Sequence, residues 1–510
     1  MGWRVRSAQA LVIAQLATAG PVLAQPADTI RVGDVLGAPS GEPTFSTRSP
    51  FSYMLGPIYD ALALVNADGS YSPLLATEWR NTDATTWVYR LRPNVKFHNG
   101  EMLDSSGIAA YLTWLNSDAG KATNVGAQVN QIGFDSARAI DPLTVEIKSK
   151  TPNPLLPKII QSFWMPAPKA WAELGKEGFA KKPVGSGSYR VTEWGPNGTD
   201  YEAFGDSWRP ARTPKLSVQK IPDRTARRSA IISGQLDIAQ GMDMDDIPVV
   251  EGAGHKVDFA PRPQVATLKL ISVSRDTPFK DKRVRQAANL AIDRKNFVEH
   301  IFRGRTRPAN QCSLPGATGY DAGVPPIPFD PTRARQLLAE AGFTNGFETT
   351  VHAFAPSPFP GLTDVNQLVS QQLGAIGIKV ALEPLSLADF LKNWNPGATA
   401  ASVGFKGAIF EQHCNMVNLD SLDGIRDSSC DKRPAYYCDD AEQRLLDAAK
   451  SDTDAARREA TLKQLMRLNA ENSGMLFLVE LVDLTGLHRR VQGFRNDNTR
   501  YNYHEITLAR

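Results

Sequence analysis

Apolar residues follow two clear periodicities along this chain. Residues 86–91, Thr-Trp-Val-Tyr-Arg-Leu, alternate apolar and polar positions as a half-buried strand does, and residues 143–147 do the same. After Asp104, the apolar positions Ile108, Leu112 and Leu115 fall on one helical face. Asp104 is a suitable N-cap, because its carboxylate can accept an otherwise unpaired backbone N–H. The alternation of strands and helices predicts an α/β protein.

The strongest helix signal starts at Asp330-Pro331, where Asp caps the first turn and Pro occupies a position that needs no N–H donor. Its buried stripe is Ala334, Leu337, Leu338 and Ala341, and Gly342 ends it. Further helices are predicted over 281–304 with a fresh start at Asp293, over 439–450 and over 454–472. An apolar strand is predicted at 475–479.

Length and charge narrow the class of protein. A chain of 510 residues is too long for one hydrophobic core, so two or more domains are expected. The composition is 42% hydrophobic and 22% charged, which is typical of a soluble globular protein. The net charge of +3 gives no reason to expect a nucleic acid or an anionic membrane as partner.

The N-terminus has the pattern of a secretory signal peptide. Arg4 and Arg6 form the positive region, residues 11–23 are mostly apolar, and Val22-Leu23-Ala24 is a small-residue cleavage site. The alternative is an anchor helix, but the run falls short of the ~20 apolar residues that a membrane span needs. We predict a signal peptide over residues 1–24, cleavage near Ala24, a periplasmic mature protein and no stable membrane insertion.

Four cysteines, Cys312, Cys414, Cys430 and Cys438, lie in the C-terminal half. An even number in an exported protein favours disulfides, and four cysteines allow three pairings. Proximity along the chain favours pairing of Cys430 with either Cys414 or Cys438. Their spacing matches no zinc motif.

No segment of the sequence matches a known catalytic motif. His98 in Phe97-His98-Asn99-Gly100 fits the end of a strand with an Asn-Gly turn. Residues 184–188, Val-Gly-Ser-Gly-Ser, lack the Gly-x-Ser-x-Gly order of a nucleophile elbow, and close backbone packing explains their glycines better. His504-Glu505 has no second His four residues on. We therefore expect no enzyme activity and no cofactor; a periplasmic hydrolase or a ligand-sensing receptor is the alternative from another class.

Several segments in order resemble the extracellular solute-binding proteins of family 5, which serve oligopeptide, dipeptide, nickel and opine importers. The longest are Tyr-Arg-Leu-Arg-Pro-Asn-Val-Lys-Phe-His-Asn-Gly at 89–100 and Pro-Phe-Lys-Asp-Lys-Arg-Val-Arg-Gln-Ala at 278–287. The others are 58–62, 73–76 with Trp79, 183–189, 291–294, 337–343 and 376–380.

The resemblance implies the two-lobed periplasmic-binding-protein fold, in its type II, large three-segment variant with a hinge between the lobes. Lobe I would comprise 27–63, 184–277 and 478–510, with 64–183 as an extra domain attached to it. Lobe II would be 278–477. The strands over 268–273 and 475–482 would be the two hinge crossings.

The same resemblance implies a ligand cleft lined by aromatic rings and a few polar anchors from both lobes. The first lobe would supply Phe45, Arg48, Phe51 and Tyr53. The second lobe would supply His352, Phe354, Trp394, Phe405 and Glu411. For each aromatic residue the alternative is ordinary core packing, and for Arg48 it is a solvated surface charge.

One departure from the family pattern bears on the ligand. Peptide-binding members place an acidic residue after a Trp-containing glycine turn, where it pairs with the peptide's α-ammonium. In the matching stretch, 404–413, Glu411 is the only carboxylate. A buried ammonium without a partner is costly, so an ordinary peptide is a less favoured ligand.

The resemblance therefore implies the solute-binding component of an ABC importer, a monomer that captures a small polar solute and delivers it to a membrane permease. The solute would be a peptide or peptide-like molecule, an opine or a similar compound. A nickel or other metal chelate is the alternative within the family, suggested by His413. No resident metal is expected.

Overall fold

The computed structural model describes residues 28–37, 39–45, 52–160, 163–195, 197–274, 276–355, 357–386, 407–431 and 435–509. The signal peptide predicted over residues 1–24 lies outside these ranges. The architecture is mixed α/β, as the alternating patterns predicted.

A large mixed sheet runs through the molecule. In spatial order its strands are Ile378–Leu385, Phe347–Phe354, Ile409–Glu411, Lys256–Leu270, Met475–Leu487, Ile238–Ala239, Thr29–Asp34, Lys215–Lys220, Gly198–Ala203 and Tyr189–Gly195; Cys414–Asn415 also pairs with Lys256–Leu270.

Two long antiparallel strands, Lys256–Leu270 and Met475–Leu487, connect the halves of this sheet. Successive side chains of a strand point to opposite faces, so each long strand contributes to two cores. Met475 and Phe477 pack in one hydrophobic cluster, which also holds much of the first 200 residues. Leu476 and Leu478 pack in the other, with the residues around Phe279 and Val351. The two clusters are therefore regions packed on opposite faces of the sheet, and each includes residues of both predicted lobes, such as Met466 in the first and Ile247 in the second.

A second sheet belongs to the first of these regions. Its four strands, in spatial order, are Ala76–Asn81, Thr86–Leu91, Thr144–Ser149 and Phe134–Asp141. Two-stranded ladders are formed by Ala63–Val65 with Tyr71–Pro73, Val491–Gln492 with Thr507–Leu508, and Asn496–Asp497 with Arg500–Tyr501.

The described α-helices are Ser52–Leu55, Ser105–Leu115, Asp118–Lys121, Asn124–Gln131, Leu156–Ile159, Pro168–Lys181, Arg224–Ile232, Ile247–Gly252, Lys282–Leu290, Arg294–Asn296, Pro331–Glu340, Leu362–Ala375, Ser421–Ile425, Asp440–Ser451 and Ala455–Asn472. Short 3₁₀ turns cover Met244–Asp246, Pro278–Lys280, Arg426–Ser428 and Tyr503–Glu505, and a π-helical turn covers Phe297–Ile301.

Local signals predicted the helix ends well. Asp104 Oδ1 accepts a hydrogen bond from Gly107 N at 2.7 Å, and Asp330 Oδ1 accepts one from Arg333 N at 2.8 Å. Gly342, with φ of +91°, follows the end of the helix Pro331–Glu340. Both N-caps are therefore confirmed.

Two predicted elements differ in extent. The fresh helix start at Asp293 gives only Arg294–Asn296 and then the π-helical turn. The strand predicted over 268–273 begins at Lys256 and ends at Leu270. Its first part, which contains Pro261 and Pro263, lacked a strand signal because proline cannot donate to a ladder.

The glycines of 184–188 are explained by packing. A Cβ atom on Gly185 would lie 2.1 Å from the carbonyl oxygen of Ile58, and one on Gly187 would lie 2.2 Å from that of Pro57. These distances leave no room for a side chain, which confirms the interpretation of close backbone approach.

Candidate functional site

The ladder between the two long strands is interrupted near its middle. Its register shifts between Pro261 and Val265, on the side of the strand Lys256–Leu270. Irregularities of this kind redirect side chains and are common beside functional sites. Arg262 lies within this shift and has no register partner, and its side chain reaches Asp483, which pairs in the ladder with Ala260.

Arg262 and Asp483 form a partly buried ion pair in which Arg262 Nη1 donates to Asp483 Oδ1. Arg262 Nε also donates to Gln264 Oε1 at 2.9 Å. Burial alone would lower the pKa of Arg262, but the adjacent Asp483 carboxylate and Tyr53 outweigh burial and raise that pKa. Asp483 Oδ2 is buried and has no hydrogen-bond partner within the described part of the chain. The pair therefore keeps one open acceptor.

Two tyrosines form one wall beside this pair. The rings of Tyr53 and Tyr501 lie 4.3 Å apart, centroid to centroid. The hydroxyl of Tyr501 is 2.9 Å from Thr485 Oγ1, on the same long strand as Asp483. Phe494 packs against Tyr501 at 4.8 Å. This wall comes from the region that contains the N-terminal strand.

Phe359 and His413 form a second group of rings near the pair. The guanidinium carbon of Arg262 lies 5.2 Å from the ring centre of Phe359, which is a cation–π distance. Phe359 meets the His413 ring edge to face at 4.6 Å. We call Tyr53, Arg262, Phe359, His413, Asp483 and Tyr501 the crossing cluster.

Glu411 stands behind His413 and is 1% exposed. Its Oε2 accepts hydrogen bonds from Phe354 N and Asn366 Nδ2, both at 2.9 Å. Its Oε1 lies 3.1 Å from His413 Nε2, but neither atom makes a hydrogen bond with a described residue. Glu411 is thus fixed by one oxygen, and the other faces the imidazole of the cluster.

Of the predicted site residues that the structure describes, only some lie at or beside the crossing cluster. Tyr53 lies in the crossing cluster, and Glu411 adjoins it through His413. The carbonyl of Phe45 accepts a hydrogen bond from Asn124 Nδ2 at 2.7 Å. His352 lies near Gly407 and Glu383, on the outer strands of the sheet. Phe354 packs beside a small core of Ile271, Leu385, Phe410, Tyr436 and Tyr437. Arg48, Phe51, Trp394 and Phe405 lie outside the described residues.

Sequence reasoning did not single out Arg262, Phe359, Asp483 or Tyr501. A signal did exist for two of them. Arg262 stands between two prolines in a strand-like run, and Asp483 is a charge within the apolar run 475–487. A charged side chain in an otherwise buried strand needs a partner, and its presence can mark such a pair.

The four cysteines form two disulfides. Cys312 pairs with Cys414, beside His413, and Cys430 pairs with Cys438. Of the two partners predicted for Cys430, Cys438 is the one found. Cys430, Cys438 and Asp440 lie close enough to hold a metal ion, but both sulfurs are bonded to each other and cannot act as thiolate ligands.

The cluster offers a guanidinium, a carboxylate, an imidazole and aromatic faces within one small region. That set suits recognition of a small polar organic molecule, since aromatic walls bury its carbon skeleton and the charged groups fix its orientation. Among the described residues, none of the helices has the length and hydrophobicity needed to cross a bilayer.

Comparison with known proteins gives a consistent result. Residues 70–420 match the model of the bacterial extracellular solute-binding proteins, family 5 (middle). The glutathione-binding protein GsiB of Pectobacterium atrosepticum is 30% identical over 343 residues, which cover 64% of this chain and 61% of that protein. The chain therefore matches less than two thirds of the length of this curated relative.

Solved structures share the whole fold at low sequence identity. The ABC transporter-associated periplasmic binding protein DppA of Helicobacter pylori, in complex with the peptide STSA, has a TM-score of 0.76 at 20% identity, covering 94% of this chain and 98% of that one. NikA of Staphylococcus aureus, in complex with Ni(L-His)2, has a TM-score of 0.74 at 16% identity, covering 94% and 100%. These similarities confirm the predicted two-lobed fold.

Proposed function

This chain belongs to the bacterial extracellular solute-binding proteins of family 5, and from that membership we propose that it is the periplasmic solute-binding component of an ABC importer. It captures a small polar organic solute, acts as a monomer without catalysis, and delivers the solute to a membrane permease. Export by a cleaved signal peptide, as the N-terminal pattern predicts, places it in the periplasm.

The observation that carries this proposal is the crossing cluster. Tyr53 and Tyr501 come from one side of the long strands, whereas Phe359 and His413 come from the other. A solute bound among them contacts both lobes at once. Because such contacts exist only when the lobes are together, the solute shifts an open–closed equilibrium toward the closed state.

The domain division is part of the same proposal. Lobe I comprises 27–63, 184–277 and 478–510, with 64–183 attached, and lobe II comprises 278–477. The two hydrophobic clusters each contain residues of both lobes, so the division is supported by the family membership and by the two long strands as crossings, rather than by the clusters. Small changes in the two long strands would then move one lobe relative to the other.

The charges near the cluster bear on the class of solute. Glu411 already accepts two hydrogen bonds through Oε2, and its other oxygen faces His413. It is therefore poorly placed to serve as the acid that holds a peptide's α-ammonium. The open oxygen of Asp483 is an alternative partner for a cationic group. We therefore favour a peptide-like compound or an opine over an ordinary peptide.

A thermal-shift screen of the purified mature protein tests this function. Glutathione, opines, mixed dipeptides and sugars are added one class at a time. A ligand at a hundred times its Kd stabilises the native state by about 2.7 kcal/mol. We expect a clear shift with one class, and glutathione is the first compound to test because it is named for the curated relative. If a ligand-free preparation, verified by native mass spectrometry, shows no shift with any class, the proposal is wrong.

The second candidate is a metal chelate. It is favoured by His413, whose Nε2 is buried in the cluster without a hydrogen bond to any described residue. Calorimetry with nickel plus free histidine tests it, with His413→Gln as the matched variant. Heat that is lost in the variant would support a chelate; absence of heat in the unaltered protein would exclude it.

A further inference from the structure

A cavity of about 630 Å³ lies next to the crossing cluster and shares Tyr501 with it. We call it the Trp164 cavity; its walls include Trp164, Trp208, Arg209, Arg500, Tyr501 and His504. It is lined by residues of the first 210 and the last 20 positions of the chain. Tyr501 is the only residue of this lining that also belongs to the crossing cluster as defined above.

Two buried donors of this cavity are unused. Trp164 is 2% exposed, and its indole N–H has no hydrogen-bond partner among the described residues. Arg209 Nε is also buried and has no hydrogen-bond partner among the described residues. Arg209 Nη2, by contrast, donates to Asp60. Trp208 Nε1 also donates to Asp60, to Oδ2 at 3.0 Å. Buried donors without acceptors are rare in native proteins and point to a missing acceptor.

Two arginines of the cavity wall, Arg209 and Arg500, also favour a negatively charged group there. The guanidinium carbon of Arg500 lies 5.0 Å from the ring centre of Trp164. Burial, together with the nearby charge of Arg209, lowers the pKa of Arg500 to about 10. Burial, with Arg209, also lowers the pKa of His504 to about 4, so that imidazole is neutral at pH 7. Two guanidiniums are therefore close enough to repel one another.

The carboxylates of the region are already engaged. Asp60 accepts hydrogen bonds from Ser186, Trp208 and Arg209. Asp497 accepts one from Ala67 N, and Asp68 accepts from Ser70. Glu505 is paired with Arg495 at 2.6 Å and also accepts from Asn502. The lining contains both acidic and basic side chains, but its buried polar atoms without a hydrogen bond to a described residue are donors.

We propose that the Trp164 cavity is a carboxylate subsite, in which Trp164 Nε1 and Arg209 Nε bind a carboxylate of the captured solute. This inference rests on the proposed function and narrows it, because the solute must then be an organic acid. Tyr501 belongs both to the crossing cluster and to the cavity wall, so a solute held by both sites would lie along this ring. Charge-assisted bonds from two buried donors would make this contact strong.

The test uses the indole N–H signals of ¹⁵N-tryptophan-labelled protein, titrated with succinate as a carboxylate probe. The Trp164 signal is assigned by its absence in Trp164→Phe. We expect succinate to move that signal saturably and succinamide to leave it in place. Trp164→Phe should weaken succinate binding about tenfold, as measured from a second moving signal or by calorimetry. An unmoved Trp164 signal, or an equal response to succinamide, overturns the proposal and leaves ordered water as the acceptor.

A matched pair of variants separates a binding role from a structural one. Both Trp164→Phe and Trp208→Phe should lower the melting temperature, because the first leaves a cavity in the core and the second also removes a bond to Asp60. Only Trp164→Phe should weaken succinate binding, because the N–H of Trp208 is already used by Asp60. An equal loss of succinate affinity in the two folded variants would contradict the proposal.

The two proposals can fail separately. If a solute from the screen binds but succinate does not affect Trp164, the carboxylate subsite is wrong and the importer function stands. If succinate binds at Trp164 but no solute stabilises the protein, the subsite stands and the proposed function fails. If succinate binds at Trp164 and the solute that binds has no carboxylate, the cavity takes a separate organic acid and the link to the captured solute is overturned.

Discussion

Two charged clusters join distant parts of this chain, and they differ in how fully their polar atoms are bonded. In the first, Lys158 Nζ donates to Thr318 Oγ1 and to the carbonyl of Leu419, both at 2.7 Å, and lies 3.5 Å from Asp420. Arg458 makes two bonds of 2.8 Å to the same carboxylate. All three charged side chains are buried, and each has its partners.

The crossing cluster is the opposite case. Asp483 Oδ2 is buried and makes no hydrogen bond to a described residue, and among the described residues Glu411 Oε1 and His413 Nε2 face only one another, at 3.1 Å and without hydrogen-bond geometry. A fully bonded buried cluster stabilises a fixed contact, whereas unbonded polar atoms are costly unless a ligand or water completes them. The difference separates a structural junction at Asp420 from a place prepared for an incoming molecule.

The largest effect is expected at the bonded cluster. Asp420→Asn leaves the buried cations Lys158 and Arg458 without their counter-charge, so the free energy of unfolding should fall by about 3–5 kcal/mol. Urea unfolding measures this. The control is Asp206→Asn, in an exposed pair with Lys96 at 2.9 Å, where a change within about 1 kcal/mol is expected. Equal effects at Asp420 and Asp206 would break the comparison.

Lys269 sharpens the comparison, because it is a buried cation near two sulfurs and a ring. Its Nζ lies 3.4 Å from Met475 Sδ, 3.8 Å from Cys414 Sγ and 5.4 Å from the Tyr436 ring centre. Burial lowers the pKa of Lys269 from 10.5 to about 8. Below pH 8 the native state must hold a buried charge, so Lys269→Met should raise the free energy of unfolding at pH 7 by up to about 3 kcal/mol.

The pH dependence of that variant has a definite sign. Between about pH 8 and 10.5 the unfolded chain keeps the proton of Lys269, whereas the native state releases it. The unaltered protein should therefore gain stability as the pH rises through this window, and Lys269→Met should lack that gain. Urea unfolding at pH 7, 8, 9 and 10 checks this. Parallel curves for the two proteins would refute the assignment.

A smaller effect is expected from single hydroxyls. Tyr501→Phe removes the bond to Thr485 Oγ1 and leaves a buried hydroxyl unpaired, so a loss of about 1 kcal/mol is expected. Tyr503→Phe is the matched control, because the buried hydroxyl of Tyr503 has no hydrogen-bond partner in the described structure. That variant should be neutral or slightly more stable. Thermal unfolding of both decides; a larger loss in Tyr503→Phe would contradict the hydrogen-bond assignment.

Sequence reasoning predicted the features that depend on near neighbours. The caps at Asp104 and Asp330 form within three residues, so local pattern was enough to find them. The resemblance to a known family supplied the two-lobed fold, which local pattern alone did not. The pair Arg262–Asp483 joins residues 221 positions apart, and no local pattern brings them together. The only local signals were the prolines that flank Arg262 and the charge of Asp483 in a mostly apolar run.

The central claim is that the crossing cluster binds the captured solute, and the most direct measurement is titration calorimetry of Asp483→Asn. The solute is the one that gives the largest thermal shift with the unaltered protein. Asparagine keeps an oxygen for Arg262 and places an amide N–H where the open carboxylate oxygen was. We predict that affinity falls at least about tenfold, measured well below the melting temperature of the variant, which should itself be lowered because Arg262 loses its counter-charge. Unchanged affinity in a folded Asp483→Asn variant would contradict the claim.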